Sequence, residues 1–141
     1  MPCLRTLVAI SLLTLVPASG ALAATRSGTP GPDRIKARGA EPQQINGSGG
    51  GDTIIGGVAA DSLLGETGHD RILGGAGDDT IDGGSGDDRV AGQSGADSVV
   101  GGFGRDTIDG GDGDDVLDSG SAGDQVTGCL LYTSPSPRDR S

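Results

Sequence analysis

A branched aliphatic residue recurs at every ninth position through more than half of the chain, with polar or small residues around it. In a nine-residue frame that starts at Gly47, it occupies position eight of nine consecutive units: Ile54, Leu63, Ile72, Ile81, Val90, Val99, Ile108, Leu117 and Val126. Position seven is mostly polar, and successive side chains of a strand point to opposite faces. The pattern therefore predicts one short strand per unit, with position eight facing inward and positions seven and nine facing outward.

An aspartate stands two residues before each of these aliphatics, at position six of the frame. All nine units carry it: Asp52, Asp61, Asp70, Asp79, Asp88, Asp97, Asp106, Asp115 and Asp124. Position one is Gly in every unit except the last, where it is Ser119. Glycine allows positive φ and close backbone approach, and Asp carboxylates with backbone carbonyls are the oxygen ligands that Ca²⁺ takes. The repeat therefore indicates a glycine-rich turn that offers one carboxylate to a hard cation.

These units match Gly-Gly-x-Gly-x-Asp-x-aliphatic-x, so residues 47–127 resemble the RTX, or hemolysin-type, calcium-binding nonapeptide repeat. The copies that begin at Gly74, Gly83, Gly101 and Gly110 fit the pattern best. The resemblance implies an all-β parallel β-roll, with two nonapeptides per coil and two short-stranded parallel sheets around the aliphatic residues. We expect this β-roll to span residues 47–128.

The resemblance also implies where calcium ions bind. Because stacked units are two apart in sequence, the aspartates fall into two rows: Asp52, Asp70, Asp88, Asp106 and Asp124 along one edge, and Asp61, Asp79, Asp97 and Asp115 along the other. Ions held between stacked turns would number at most about seven, one for each gap in the two rows. We expect weaker binding at turns that replace Gly, which carry Ser48, Glu66 and Gln93 at position two and Ala59 and Ala122 at position four.

The charge of the chain indicates which partners and which folding mechanism it favours. The formal net charge is −10, and residues 47–127 alone carry −14 from 16 Asp and one Glu against three Arg. No basic patch is available to neutralise phosphates, which argues against nucleic acid as a partner.

The chain has 29 Gly, one Phe and no Trp, so few large apolar side chains offset the cost of ordering the backbone. We therefore predict that folding is coupled to Ca²⁺ binding.

Residues 1–24 have the pattern of a secretory signal peptide, with Arg5 near the start, an apolar stretch from Leu7 to Val16, and Ala21-Leu22-Ala23 before the expected cleavage point. The apolar stretch is too short to span a bilayer. We therefore expect a secreted, extracellular protein that has no membrane span after cleavage.

Residues 25–46 connect this segment to the repeats. We expect coil over Thr25 to Ser27, a degenerate repeat over Gly28 to Lys36 that begins the roll, and a polar cap over Arg38 to Asn46. The cap keeps an aliphatic residue at position eight but lacks the aspartate at position six.

Residues 129–141 break abruptly from the composition of the repeats. The run from Cys129 to Asp139 resembles the conceptual translation of a sequencing adapter, so we expect it to lie outside the fold. Without this run, and without Cys3 in the signal peptide, the mature chain has no cysteine and no disulfide to stabilise it. The true gene is expected to continue past Gly128.

The sequence favours a secreted calcium-binding protein, with adhesion or matrix association as a further role. The alternative is the accessory roll of a truncated secreted hydrolase whose catalytic domain lies beyond the C-terminal break. The repeats are not expected to be an enzyme, because His69 is the only histidine and neither a zinc site nor a nucleophile constellation can be built from it. An ice-binding face is disfavoured because Arg71, Arg89 and Val116 interrupt the polar residues at position seven.

One further feature concerns partners other than calcium. Ile55, Leu73 and Ala91 occupy position nine in three units that stack on the same sheet. They form either an outer apolar strip that binds a partner or another copy, or a set of isolated surface side chains.

Overall fold

The structure, a computed structural model, describes residues 24–121, 123–128 and 130–132, and the regular elements in these ranges are all β-strands. The strands are β1 Ala24–Ser27, β2 Arg34–Lys36, β3 Gln43–Asn46, β4 Thr53–Ile55, β5 Ser62–Leu64, β6 Arg71–Ala76, β7 Thr80–Ser85, β8 Arg89–Ser94, β9 Ser98–Phe103, β10 Thr107–Asp112, β11 Asp115–Asp118, β12 Gln125–Thr127 and β13 Leu130–Tyr132. No helix in the described ranges is long and apolar enough to cross a membrane.

Consecutive strands alternate between two parallel sheets. The odd-numbered strands form a seven-stranded sheet in the order β1-β3-β5-β7-β9-β11-β13, and the even-numbered strands form a six-stranded sheet in the order β12-β10-β8-β6-β4-β2. Each coil thus contributes one strand to each sheet, and residues 18 apart pair, as Ile72 does with Val90. These findings confirm the predicted parallel β-roll with two nonapeptides per coil.

The aliphatic residues at position eight form the core in the two predicted rows. One row lies on the six-stranded sheet and the other on the seven-stranded sheet, and every member except Val126 is at most 3% exposed. Val126 is partly buried against the same cluster. Burial of each such side chain contributes about 1.5–3 kcal/mol to folding. Positions seven and nine lie on the outer faces, as strand alternation requires.

The roll begins before residue 47. Gly28 to Lys36 contributes β2, whose Ile35 is buried and pairs with Ile54. The segment expected as a cap contributes β3, and its Ile45 is fully buried. The offset between Ile35 and Ile54 is 19 residues rather than 18, because the turn between β2 and β3 is one residue longer than the repeat allows.

Two further segments differ from expectation at the ends of the roll. Thr25 to Ser27 were expected as coil but lie in β1, because their backbone pairs in parallel with Gln44 to Asn46. Leu130 to Tyr132, in the run expected to lie outside the fold, form β13 beside β11. Their pairing shifts in register, so this strand does not follow the 18-residue offset. Most of the predicted signal peptide lies outside the described residues.

The position of Ile108 predicts a large effect of mutation. Ile108→Ala should lower the free energy of unfolding by about 2–5 kcal/mol, since it leaves a cavity where a fully buried side chain stood. Thr107→Ala alters the neighbouring residue, which is exposed on the outer face of β10, and should change the free energy by about 0.5 kcal/mol or less. Urea unfolding at a fixed Ca²⁺ concentration measures both. Similar losses in the two variants would contradict the assignment of position eight to the core.

Candidate functional site

The nine position-six aspartates line the two edges of the roll, where each strand begins after its turn. Their side chains point inward, and all except the half-buried Asp124 are at most 3% exposed. Asp52, Asp70 and Asp88 follow one another along one edge in successive coils, and Asp61 and Asp79 begin the row along the other edge. The structure thus gathers the predicted site residues into two buried carboxylate rows.

Within each row, a hydrogen bond joins each aspartate to the next one along the row. The Oδ1 atom accepts the backbone N–H of the row member one coil earlier, so Asp52 donates to Asp70 at 2.8 Å and Asp88 donates to Asp106 at 3.0 Å. The first coil joins the same ladder, because the backbone N–H of Asp33 donates to Asp52 and that of Gln43 donates to Asp61. Each carboxylate therefore bridges two coils through one of its oxygens.

The other oxygen of these carboxylates is free in eight of the nine turns. The Oδ2 atom is buried and has no hydrogen-bond partner in Asp52, Asp70, Asp79, Asp88, Asp97, Asp106, Asp115 and Asp124. A buried polar group without a partner is costly, and an unpaired charged one more so. The sequence showed that a carboxylate was available, but only the coordinates show that one oxygen is used by the backbone and the other is left for a ligand.

A backbone carbonyl from the next coil lies beside this free oxygen. A Cβ atom added to Gly83 would lie 2.8 Å from Asp88 Oδ2 and 2.6 Å from the carbonyl oxygen of Gly101. At Gly101, the corresponding distances are 2.7 Å to Asp106 Oδ2 and 2.7 Å to the carbonyl oxygen of Ser119. The position-one glycine therefore leaves space for two oxygens from successive coils to converge, which its periodicity alone does not reveal.

These oxygens suit a hard cation of the size of Ca²⁺, which binds carboxylate and carbonyl oxygens at about 2.3–2.6 Å. Among the residues that the structure describes, no three carboxylate, imidazole or thiol side chains converge on one point. Any such cation must therefore complete its coordination with backbone carbonyls of the turns or with water.

Most turns have left-handed backbone at positions two and four. Three non-glycine residues adopt this conformation at position two, Ser48 at φ 79°, Glu66 at φ 76° and Gln93 at φ 83°. A side chain with a Cβ resists this region by about 1–2 kcal/mol. The turns with these substitutions, which were expected to bind ions more weakly, nevertheless keep the left-handed conformation at position two and a free Oδ2 in their aspartates.

The turn from Gly56 to Asp61 is different. Neither Gly57 nor Ala59 has positive φ, although glycine at position four has it in the neighbouring turns. The backbone N–H of Gly57 instead donates to Asp61 Oδ2 at 2.7 Å. This turn therefore has no free carboxylate oxygen, which gives a physical reason for the weak binding expected at Ala59. The other substituted position, Ala122, lies outside the described residues.

Burial raises the pKa of Asp79 and of Asp88 to about 6, because the interior disfavours the charged carboxylate. The backbone N–H bonded to each carboxylate lowers the pKa, but less than burial raises it. Carboxylates in neighbouring coils raise it further, as Asp70 and Asp106 do for Asp88. Burial likewise raises the pKa of Asp70, Asp97 and Asp106. Each row therefore favours a proton or a cation at its carboxylates.

His69 lies on the exposed side of the turns, at position five. Its Nδ1 atom accepts the backbone N–H of Asp87 at 2.8 Å, and Asp87 Oδ1 accepts that of Arg105 at 2.9 Å. The side chain is exposed, and its hydrogen bond forms part of a short ladder at the surface that joins three successive coils.

The comparison with protein families gives one result. The model of the RTX calcium-binding nonapeptide repeat matches the chain in four copies, over residues 43–71, 55–90, 64–99 and 91–126. No curated protein and no solved structure matches the chain significantly.

The raised pKa values predict how pH acts on the chain when a chelator removes metal ions. Asp79 and Asp88 have a pKa of about 6 when folded against an ordinary value of 3.8, so the folded state binds protons more tightly than the unfolded state. This contribution to stability is complete below pH 3.8 and is lost as pH rises through about 6. Far-UV circular dichroism should show β-structure decreasing across this window. Structure that increases or stays constant with rising pH would contradict the prediction.

Proposed function

The chain belongs to the RTX calcium-binding nonapeptide-repeat family, whose matches together cover residues 43–126, and we propose that it is a secreted protein whose β-roll folds when Ca²⁺ binds between stacked turns. The roll is a structural calcium-binding domain rather than a catalytic one. The proposed ligands are the position-six aspartates from Asp52 to Asp124, completed by backbone carbonyls of the turns.

The observation that carries this proposal is the free Oδ2 atom of eight position-six aspartates. Each of these atoms is buried. In the turns of six of them, Asp52, Asp70, Asp79, Asp88, Asp97 and Asp106, the position-one glycine leaves space in which the free oxygen faces a carbonyl oxygen of the next coil. A bound Ca²⁺ would supply the missing partner and balance the charge. Asp61 is the weakest of the proposed ligands because its Oδ2 is already bonded to Gly57.

Coupling between binding and folding follows from the charge of the repeats. Residues 47–127 carry a net charge of −14, and the fold stacks their carboxylates in rows with Oδ2 unpaired. Repulsion within a row therefore opposes folding unless protons or cations are bound. Since each site uses oxygens of two coils, it does not exist in the unfolded chain, and the free energy of ion binding becomes free energy of folding.

Secretion fits the affinity expected of these sites. An ion between two coils receives at most two position-six carboxylates, and sites with few charged ligands bind Ca²⁺ weakly. Calcium sites in extracellular modules have dissociation constants of about 10⁻⁴–10⁻³ M. The chain would then remain unfolded where Ca²⁺ is scarce and fold after export. The pattern of residues 1–24 supports export through an N-terminal signal.

A calcium titration tests the proposal directly. In chelator at neutral pH the purified chain should give the far-UV circular dichroism spectrum of a disordered chain, and Ca²⁺ should convert it cooperatively to β-structure with a midpoint of about 0.1–1 mM. Mg²⁺ at the same concentration should not replace Ca²⁺, because Mg²⁺ demands octahedral geometry and retains its waters. A β-spectrum in chelator that Ca²⁺ leaves unchanged would refute the coupling.

Substitution of single aspartates tests the ligand assignment. Asp88→Asn keeps Oδ1 as the acceptor of the N–H of Asp70 but replaces the free Oδ2 by an amide group that donates. The Ca²⁺ midpoint should rise several-fold. Asp109→Asn makes the same chemical change on the exposed face of β10 and serves as the control. Equal midpoints for Asp88→Asn and Asp109→Asn would exclude Asp88 as a ligand.

A further inference from the structure

The outer face of the six-stranded sheet is basic, although the chain as a whole is acidic and no basic patch was expected from its sequence, because the fold brings together cations that lie far apart along the chain. We give the name basic face to the outward residues at positions seven and nine of the even-numbered strands, from β2 to β12. They are Arg34, Lys36, Thr53, Ile55, Arg71, Leu73, Arg89, Ala91, Thr107, Asp109, Gln125 and Thr127. Four of them are cationic and one is a carboxylate. Ile55, Leu73 and Ala91 pair across β4, β6 and β8 and form a continuous apolar strip beside the cations.

The outer face of the seven-stranded sheet has the opposite character. We call the outward residues of the odd-numbered strands β3 to β11, with the adjoining Glu66 and Phe103, the acidic face: Gln44, Asn46, Ser62, Leu64, Glu66, Thr80, Asp82, Ser98, Val100, Phe103, Val116 and Asp118. None of these residues is cationic and three are carboxylates. A groove of 380 Å³ lies on this face between Leu64, Val100 and Phe103, with Glu66 and Asp82 in its lining. Phe103 is 70% exposed and Val100 is 38% exposed.

The basic face contains a repulsion that a partner would relieve. Arg71 and Arg89 are direct partners in the pairing of β6 with β8, and like charges opposite each other destabilise a sheet. Their neighbours in the same row, Thr53 and Thr107, are uncharged. Of the carboxylates, only Asp109 belongs to this face. The face therefore favours a partner that carries both negative charge and apolar surface.

We propose that this partner is a second copy of the chain, whose acidic face docks on the basic face. The acidic face offers the complementary set: carboxylates at Glu66 and Asp82 for the arginines, and apolar side chains at Leu64, Val100 and Phe103 for the strip of Ile55, Leu73 and Ala91. The proposal goes beyond calcium binding, because a correctly folded roll could bind its ions and remain monomeric.

The contact is heterologous, because it joins the basic face of one copy to the acidic face of the other. It therefore does not produce a closed dimer. Each copy keeps an unused basic face or acidic face, so further copies can add and form an open stack. Six strands about 4.8 Å apart, each contributing three residues of about 3.3 Å, give a face of about 25–30 Å by 10 Å. Its area of about 250–300 Å² is small beside the roughly 800 Å² that each partner buries in a stable dimer. Each contact is therefore weak, and stack length increases with protein concentration.

Charge reversal on each face tests the proposal by sedimentation velocity at saturating Ca²⁺. The unmodified chain should form species that grow with concentration and dissociate as salt rises from about 0.1 M to about 1 M, which shortens the Debye length from about 10 Å to about 3 Å. The double variant Arg71→Glu with Arg89→Glu should weaken association by about tenfold or more. The double variant Glu66→Lys with Asp82→Lys should do the same.

A mixture of the two double variants should restore association, because the intact acidic face of the first meets the intact basic face of the second. Matched controls change the net charge equally at exposed positions outside both faces: Arg38→Glu with Arg105→Glu, and Glu41→Lys with Asp114→Lys. These controls should associate as the unmodified chain does. Circular dichroism at saturating Ca²⁺ establishes that every variant is folded, which separates failure of docking from failure of ion-coupled folding.

Three results would overturn the proposal. The first is an unmodified chain that stays monomeric at every concentration with Ca²⁺ bound. The second is association that depends on Arg71 and Arg89 but not on Glu66 and Asp82, which would assign the basic face to another anion. The third is a mixture of the two double variants that fails to associate although each is folded.

Discussion

The hydrogen bond from the backbone N–H of one position-six residue to the carboxylate of the next coil determines much of the remaining structure. It spans 18 residues at nearly every step, from Asp52 and Asp70 at one end of its row to Asp106 and Asp124 at the other. Because Oδ1 is held by this bond, Oδ2 must face the start of its own turn. Glycine at position one leaves room for it there, as the close approach of Asp79 Oδ2 at Gly74 shows, and Ser119 in the last unit is the exception. The invariance of Asp at position six and the preference for Gly at position one thus have a common cause.

The same bond brings two physical requirements into conflict. The aliphatic rows need dry surroundings, and the carboxylates that close each coil are buried beside them. Asp106 and Ile108, two residues apart, are both fully buried. A conventional domain avoids such a combination or pairs the charge with a buried cation from its own sequence. Here the interior contains one sign of charge in regular rows. If Ca²⁺ binds as proposed, the ion becomes a component of the fold, and the stability of the roll depends on the composition of its solvent.

The period of nine was sufficient to predict one strand per unit and the face of each position, because it repeats the same steric demands in every unit, and the resemblance to a known repeat family implied the roll and the two rows. The sequence was less informative where the backbone or the neighbouring coils, rather than the residue's own side chain, determine the local conformation. Backbone pairing alone places Thr25 to Ser27 in β1, and no pattern of residue types marks it. The extra residue before Gln43 hides the first coil from a strict frame, although Ile35 keeps its inward place. Glu66 and Gln93 look like poor turn residues, yet they adopt left-handed backbone, because the stacked turns on either side leave little choice.

The turn at Ala59 has a mechanical consequence. In a solenoid each coil contacts only its neighbours, so force applied to one end is carried through every interface in series. Asp61 is the one aspartate of the nine units whose second oxygen is held within its own turn, and the equivalent oxygen of Asp33 in the first coil is likewise bonded to Thr29. Under the proposed calcium binding, ions would hold these N-terminal coils less firmly than the coils from β6 onward. A pull on the N-terminal end would therefore separate the N-terminal coils first and leave the others stacked.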